Sequence, residues 1–181
     1  MSKKEILAKG KYLALIKHDQ YEYVERVLGT GIAIVFAITD SKEIILVEQY
    51  RKAVDARCIE LPAGIINDTG SKESTLAGAK RELLEETGYE AEKINFMGCF
   101  PVSVGITSGL YNIFIASGLR KTGPGGGDAT ENITVHNVPF EELSDFIRKK
   151  SFEGFHIDLK IFAVSYMYDR KLEALTKNIQ P

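Results

Sequence analysis

Arg81-Glu82-Leu83-Leu84-Glu85-Glu86-Thr87-Gly88-Tyr89 places three carboxylates on one side of a predicted helix and ends that helix in a glycine. At 3.6 residues per turn, Glu82, Glu85 and Glu86 stand at i, i+3 and i+4, so their side chains converge. Like charges at that spacing repel by a few tenths of a kcal/mol per pair. A helix that only needed a solvated face would alternate Glu with Lys. Clustered oxygens suit a hard divalent cation, magnesium above all, whose charge removes the repulsion.

An acidic pair on a helix is usually a solvated face, so the surroundings decide the matter. The helix is predicted over residues 74–87, with Leu76, Ala79, Leu83 and Leu84 as its apolar stripe and Gly88 as its stop. Upstream, residues 12–16 and 21–27 read as two strands joined at His18-Asp19-Gln20. Residues 32–38 form an apolar β-branched run, a strand covered on both faces. Further strands are expected over 44–49, 58–61, 94–100, 110–116 and 133–138, with closing helices over 141–149 and 158–170. Asn67-Asp68-Thr69-Gly70-Ser71 reads as a turn ahead of the acidic helix. Residues 121–130 (KTGPGGGDAT) read as a mobile loop leading into Glu131. No strand and Lys-Ser/Thr helix frame these glycines as a phosphate cradle. Strands outnumber helices, and helices lie between and after them, which is the pattern of an α+β sandwich.

The chain has 181 residues, 44% of them hydrophobic and 27% charged, with a formal net charge of −2. These are the proportions of one ordinary globular domain, with no sign of a nucleic-acid or membrane surface. Met1-Ser2-Lys3-Lys4 is followed by too short an apolar run for a signal peptide, and no run is long enough to span a bilayer. A cytoplasmic location is expected, with Cys58 and Cys99 as buried thiols. His18, His136 and His156 are isolated in the sequence and are not expected to be catalysts.

Leu61-Pro62-Ala63-Gly64, then Glu73, then Arg81-Glu82-x-x-Glu85-Glu86-x-Gly88-Tyr89 resembles the Nudix box, G-x5-E-x7-R-E-U-x-E-E-x-G-U with U a bulky apolar residue. The second half matches at every defined position, whereas Gly64 and Glu73 are separated by eight residues, 65–72. Such a loop lengthens at small cost in closure entropy. Glu48-Gln49-Tyr50-Arg51, Glu60-Leu61-Pro62-Ala63-Gly64, Glu131-Asn132-Ile133-Thr134-Val135-His136 and Ile157-Asp158-Leu159-Lys160 resemble the ADP-ribose and nucleoside-diphosphate-sugar pyrophosphatase branch. That branch often has a proline where this chain has Val104 and a Glu where it has Gly109, so the resemblance points to nucleotide sugars as a class.

The resemblance implies a mixed β-sheet sandwiched between helices, with an N-terminal antiparallel sheet. Residues 1–30 would form a dimerising β-hairpin or sheet and residues 31–181 the hydrolase domain. It implies magnesium- or manganese-dependent cleavage of the diphosphate in a nucleotide sugar, to a nucleoside monophosphate and a sugar phosphate. Two or three ions would be held by Glu82, Glu86 and the Ala63 carbonyl, joined by Glu85 and Glu131. Glu131, Glu85 and Arg81 form the catalytic group. Arg81 would orient the acidic cluster by pairing with Glu73, and Glu131 would serve as general base or metal ligand, with Asp128 as its rival for the base. Arg51 would grip a phosphate or the terminal sugar, Glu60 would accept from the nucleoside, and Tyr21 and Tyr23 would stack on the base, with Tyr12 a third candidate. The alternatives are a domain that binds ADP-ribose without cleaving it, and a hydrolase of some other nucleotide.

Overall fold

The computed structural model describes residues 3–67, 72–127 and 131–172. Among them are eleven strands and three α-helices. In chain order these are β1 (Lys4–Lys9), β2 (Leu13–His18), β3 (Tyr21–Arg26), β4 (Gly31–Ala37), β5 (Glu43–Arg51), β6 (Ala56–Glu60), β7 (Ala63–Ile66), α1 (Thr75–Thr87), β8 (Tyr89–Pro101), β9 (Leu110–Lys121), β10 (Thr134–Pro139), α2 (Leu143–Phe152), β11 (His156–Ile157) and α3 (Leu159–Asp169). A 3₁₀ turn over Phe140–Glu142 leads into α2.

Strands β1, β2 and β3 form an N-terminal antiparallel sheet. Two four-stranded sheets follow, ordered β10-β5-β6-β11 and β7-β4-β9-β8. Each is mixed: β4 and β9 run parallel, as do β6 and β11, while the other neighbours run antiparallel. The strand period of two sends alternate side chains to opposite faces. Ile34 and Phe36 of β4 join Leu46, Ile59, Ile113, Leu143, Ile161 and Val164 in one core, the side of α2 and α3. Ala33, Val35 and Ala37 join Ile66, Ala79, Leu83 and Phe114 in a second core beneath α1. This is the α+β sandwich expected from the sequence, with β4 buried on both faces.

Three strands had no clear sequence signal. Strand β1 is exposed throughout, so it shows no alternation. Strand β7 lies inside the Pro62-Ala63-Gly64 motif, and β11 is only two residues long. The helix stripe also needs correction: Ala79 and Leu83 are fully buried, but Leu76 and Leu84 are 39% and 38% exposed. Their places on the inner face are taken by Gly78, Glu82 and Glu86. His136 is not isolated either, since its Nε2 stands 2.9 Å from Glu48 Oε2. Glu48 further accepts from Arg57 Nε at 2.7 Å and Lys150 Nζ at 3.0 Å, tying α2 to the sheet.

Both ends of α1 are fixed locally. Ser74 caps the start, its hydroxyl accepting from the Ala77 amide at 3.2 Å, a contact worth about 1 kcal/mol. Gly88 ends the helix at φ +72°, and its N–H donates to Leu84 at 2.8 Å. Residues 68–71 of the lengthened turn lie outside the described residues. Asn67 precedes them at φ +61°, accepts from the Glu73 amide at 2.7 Å, and donates its own amide to Glu73 Oε1 at 3.2 Å.

Candidate active site

A cavity of about 500 Å³ opens where α1, β7, β5–β6 and the start of α3 meet. Its lining carries both charges, Glu60, Glu82, Glu85 and Glu131 together with Arg26, Arg51, Arg81 and Lys160, and the apolar or aromatic side chains of Ile32, Ile34 and Tyr111.

The carboxylates of α1 do not share one fate. Glu82 and Glu86, one turn apart, face inward and are 9% and 2% exposed. Glu85 lies 100° round the helix from Glu86, and its side chain is 47% exposed. Gly64 makes room for Glu82: a Cβ there would overlap the Glu82 carboxylate. Glu86 is held by the Ala63 amide, which donates to Oε2 at 3.0 Å. Burial pushes the Glu82 carboxyl up to about 7, against the pull of the Arg81 guanidinium and with the push of Glu85 and Glu131. Burial likewise raises Glu86 to about 8, opposed by the Ala63 amide and reinforced by Glu82 and Glu131.

Arg81 binds the group together. Its Nη2 donates to Glu73 Oε1 at 3.0 Å and to the Ile65 carbonyl at 3.1 Å, and its Nε to Glu73 Oε2 at 3.3 Å. Nη1 lies 2.7 Å from Glu82 and 2.9 Å from Glu85. The two-pronged pair with Glu73 lies beyond the lengthened turn, and the bond to the Ile65 carbonyl reaches back across it. The pair draws Glu73 below the ordinary carboxylate range.

With Glu82 on Arg81 and Glu86 on Ala63, no three acidic, imidazole or thiol side chains among the described residues form a closed metal cage. The donor set nevertheless fits a hard cation. It offers oxygen atoms only, and two of its carboxylates are buried one helical turn apart, each raised chiefly by that burial. Glu82, Glu86 and Ala63, with Glu85 and Glu131 at the rim, are the groups that could hold one.

The sequence-predicted substrate residues divide in the same way. Arg51 and Glu60 both line the cavity but grip each other, Nε to Oε1 at 2.6 Å and Nη2 to Oε2 at 2.8 Å. Tyr21 and Tyr23 do not line it; Tyr21 is 68% exposed and Tyr23 donates to Glu25 at 3.1 Å. Tyr12, also on the N-terminal segment, is exposed. Asp128 lies outside the described residues. Arg26, Tyr111 and Lys160 line the cavity without having been assigned there from sequence. Lys160 had a signal, the Ile157-Asp158-Leu159-Lys160 stretch; its ammonium pairs with Asp158 and lies 4.9 Å over the Tyr111 ring. Arg26 and Tyr111 carried none.

The raised carboxyls set a pH dependence of stability for the metal-free protein. Between the ordinary carboxylate range and about 8, the folded state binds more protons at Glu82 and Glu86 than the unfolded state does. Stability therefore falls as pH rises through that window and levels off above it. In EDTA, the Tm at pH 8 is expected to lie below that at pH 5.5, and Glu86→Gln is expected to flatten the difference. An equal slope in wild type and variant, followed by circular dichroism, would refute this assignment.

A NUDIX-domain model matches residues 29–156. The chain is 34% identical over 127 residues to a methanol dehydrogenase activator of Bacillus methanolicus, covering 70% of this chain and 67% of that one. It is 34% identical over 122 residues to an ADP-ribose pyrophosphatase of Bacillus subtilis, covering 64% of each. It is 29% identical over 142 residues to a GDP-mannose pyrophosphatase of Escherichia coli K12, covering 74% and 71%. The chain thus spans about two thirds of the length of these relatives. In fold it resembles an ADP compounds hydrolase, with a TM-score of 0.72 over 94% of this chain and 91% of that one, at 18% identity. The chain belongs to the NUDIX family and is a hydrolase acting on diphosphate bonds.

Proposed function

We propose that this protein hydrolyses the diphosphate of a nucleoside diphosphate sugar, ADP-ribose or a hexose-linked nucleotide, to a nucleoside monophosphate and a sugar phosphate. The observation that carries this reading is the mixed lining of one cavity, Glu82, Glu85 and Glu131 together with Arg26, Arg51 and Lys160, with buried Glu86 one turn along α1 from Glu82. The names of two relatives, an ADP-ribose and a GDP-mannose pyrophosphatase, support the substrate class.

Glu82, Glu86 and the Ala63 carbonyl would hold magnesium, two or three ions being bound with the help of Glu85 and Glu131. When bound, the ions supply charge neutralisation on the phosphate oxygens. Glu131, at the cavity wall, takes a proton from the attacking water, a contribution of about 10²–10⁴-fold. Arg81 keeps Glu82 and Glu85 in register with Glu73. Arg51 stays aligned through its fork on Glu60 and meets a phosphate oxygen of the substrate. Lys160, leashed to Asp158, adds a second positive charge. The N-terminal sheet, residues 1–30, pairs with a second copy, a reading supported by exposed Ile6, Leu7, Leu13 and Leu15.

The test is a panel of nucleotide sugars with Mg²⁺ or Mn²⁺, products resolved by ion-exchange chromatography. AMP from ADP-ribose, or GMP from a GDP-hexose, is the expected result. Tight binding of the whole panel with every ligand recovered intact would overturn the reading.

A further inference from the structure

The segment after β9 returns to the C-terminal end of α1 and closes it. Read as a mobile loop from sequence, residues 121–127 are instead strapped down. Thr122 and Gly123 donate to the Gly88 carbonyl at 2.8 and 3.1 Å, Gly126 to Glu86 at 2.8 Å, and Gly127 to Glu85 at 3.0 Å. Lys121 Nζ reaches the Thr87 carbonyl at 2.6 Å. A helix leaves its last carbonyls without partners inside itself, and the strap supplies them.

The strap needs glycine because it lies so close. Gly125 has φ +70°, and a Cβ there would come within 2.8 Å of the Glu86 carbonyl oxygen. At Gly127, with φ +82°, the crowding is toward the cavity. A Cβ would overlap the Glu131 carboxylate and stand 2.7 Å from Glu131 Cβ and 3.0 Å from Ile133 Cδ1. Gly64 does the same service for Glu82, whose carboxylate a Cβ there would overlap. Two of the cavity's carboxylates therefore rest on bare backbone. The second resting place hangs by its own amide from Glu85, a residue of the acidic helix.

We propose that Gly127 is a positioning residue: its backbone, hung from the Glu85 carbonyl, seats the Glu131 side chain at the cavity wall and keeps it in register with α1. This rests on the reading of Glu131 as the group that takes the proton. A side chain at Gly127 would have to displace Glu131, quite apart from the backbone strain that alanine would suffer there.

The test compares Gly127→Ala, Gly126→Ala, Glu131→Ala and the Gly127→Ala/Glu131→Ala double variant. Gly126 has φ +107°, and a Cβ there meets only the Ile133 carbonyl, at 4.0 Å, so its alanine variant carries strain without the overlap. Gly127→Ala is expected to lose kcat by about 10²-fold, as Glu131→Ala does, with KM little changed. Gly126→Ala is expected to lower the metal-free Tm by backbone strain alone, no more than Gly127→Ala does, while keeping kcat near wild type. The double variant is expected to be no slower than Glu131→Ala, because residues acting as a unit are not additive. If Gly127→Ala fails to fold, Gly127→Ala/Glu131→Gly, which also removes the Glu131 Cβ that would stand 2.7 Å from the new Cβ, is expected to fold.

Wild-type kcat in Gly127→Ala beside a slow Glu131→Ala would overturn the proposal and leave the role of Glu131 standing. A fully active Glu131→Ala would overturn both. Losses that multiply in the double variant, a Gly127→Ala/Glu131→Gly variant that also fails to fold, or a crystal structure of Gly127→Ala with Glu131 undisplaced would each overturn the proposal alone.

Discussion

Glu86→Gln is expected to lower kcat on ADP-ribose by about 10³-fold while making the metal-free protein more stable at pH 8. The loss corresponds to about 4 kcal/mol of transition-state stabilisation, the several kcal/mol attributed to a bound Lewis acid. Glu86 is 2% exposed and sits beside Glu82, so its ionised form is costly without a cation. Glutamine keeps the acceptor for the Ala63 amide and removes the charge. The gain in stability at pH 8 is expected to be on the order of a few kcal/mol. Steady-state assays with Mg²⁺ and thermal melts in EDTA read the two effects on one pair of samples. A variant that is slow but no more stable without metal would show that Glu86 does not hold a strained charge.

Arg81→Ala is expected to destabilise the protein by about 3 kcal/mol, because it strips partners from Glu73, Glu82 and Glu85 at once. For a chain of this size that is a fall in Tm of about 6–12 °C. Arg81→Lys is expected to recover less than half of it. One ammonium cannot span Glu73 in a fork and still reach Glu82, Glu85 and the Ile65 carbonyl. Melting curves decide the point, and a lysine variant with wild-type Tm would show that charge alone, not the fork, holds the acidic helix in place.

What could be read from the sequence was what local chemistry determines. Helix α1 was bounded within a residue because Ser74 and Gly88 act on the turns beside them. The burial of β4 followed from its unbroken apolar run. The Arg81–Glu73 pair lies within the acidic motif and its lead-in. The divergence of Glu85 from Glu82 and Glu86 is a matter of helical angle, hidden when the three are counted only as neighbours.

Long-range register was not accessible in the same way. Arg51 and Glu60 meet because β5 and β6 pair with Gln49 beside Cys58, and no local pattern fixes that alignment. Glu48 and His136 are brought together by β5 and β10. The glycine segment reads as a loop in isolation, since glycine favours no single conformation, and only the end of α1 gives its amides somewhere to go. Arg26 and Tyr111 enter the cavity through strand placement alone.

The parallel pairing of β4 with β9 bears on how the chain acquires its shape. Ile32 finds Tyr111, and Ala37 finds Ala116, across about 80 residues of intervening sequence. During synthesis the most apolar strand of the protein emerges early and must wait for one of its two neighbours. Closing so long a loop is slow, and an unpaired apolar edge is exposed to association with other nascent chains in the meantime. The same strand that anchors the finished molecule is therefore its point of greatest vulnerability before completion.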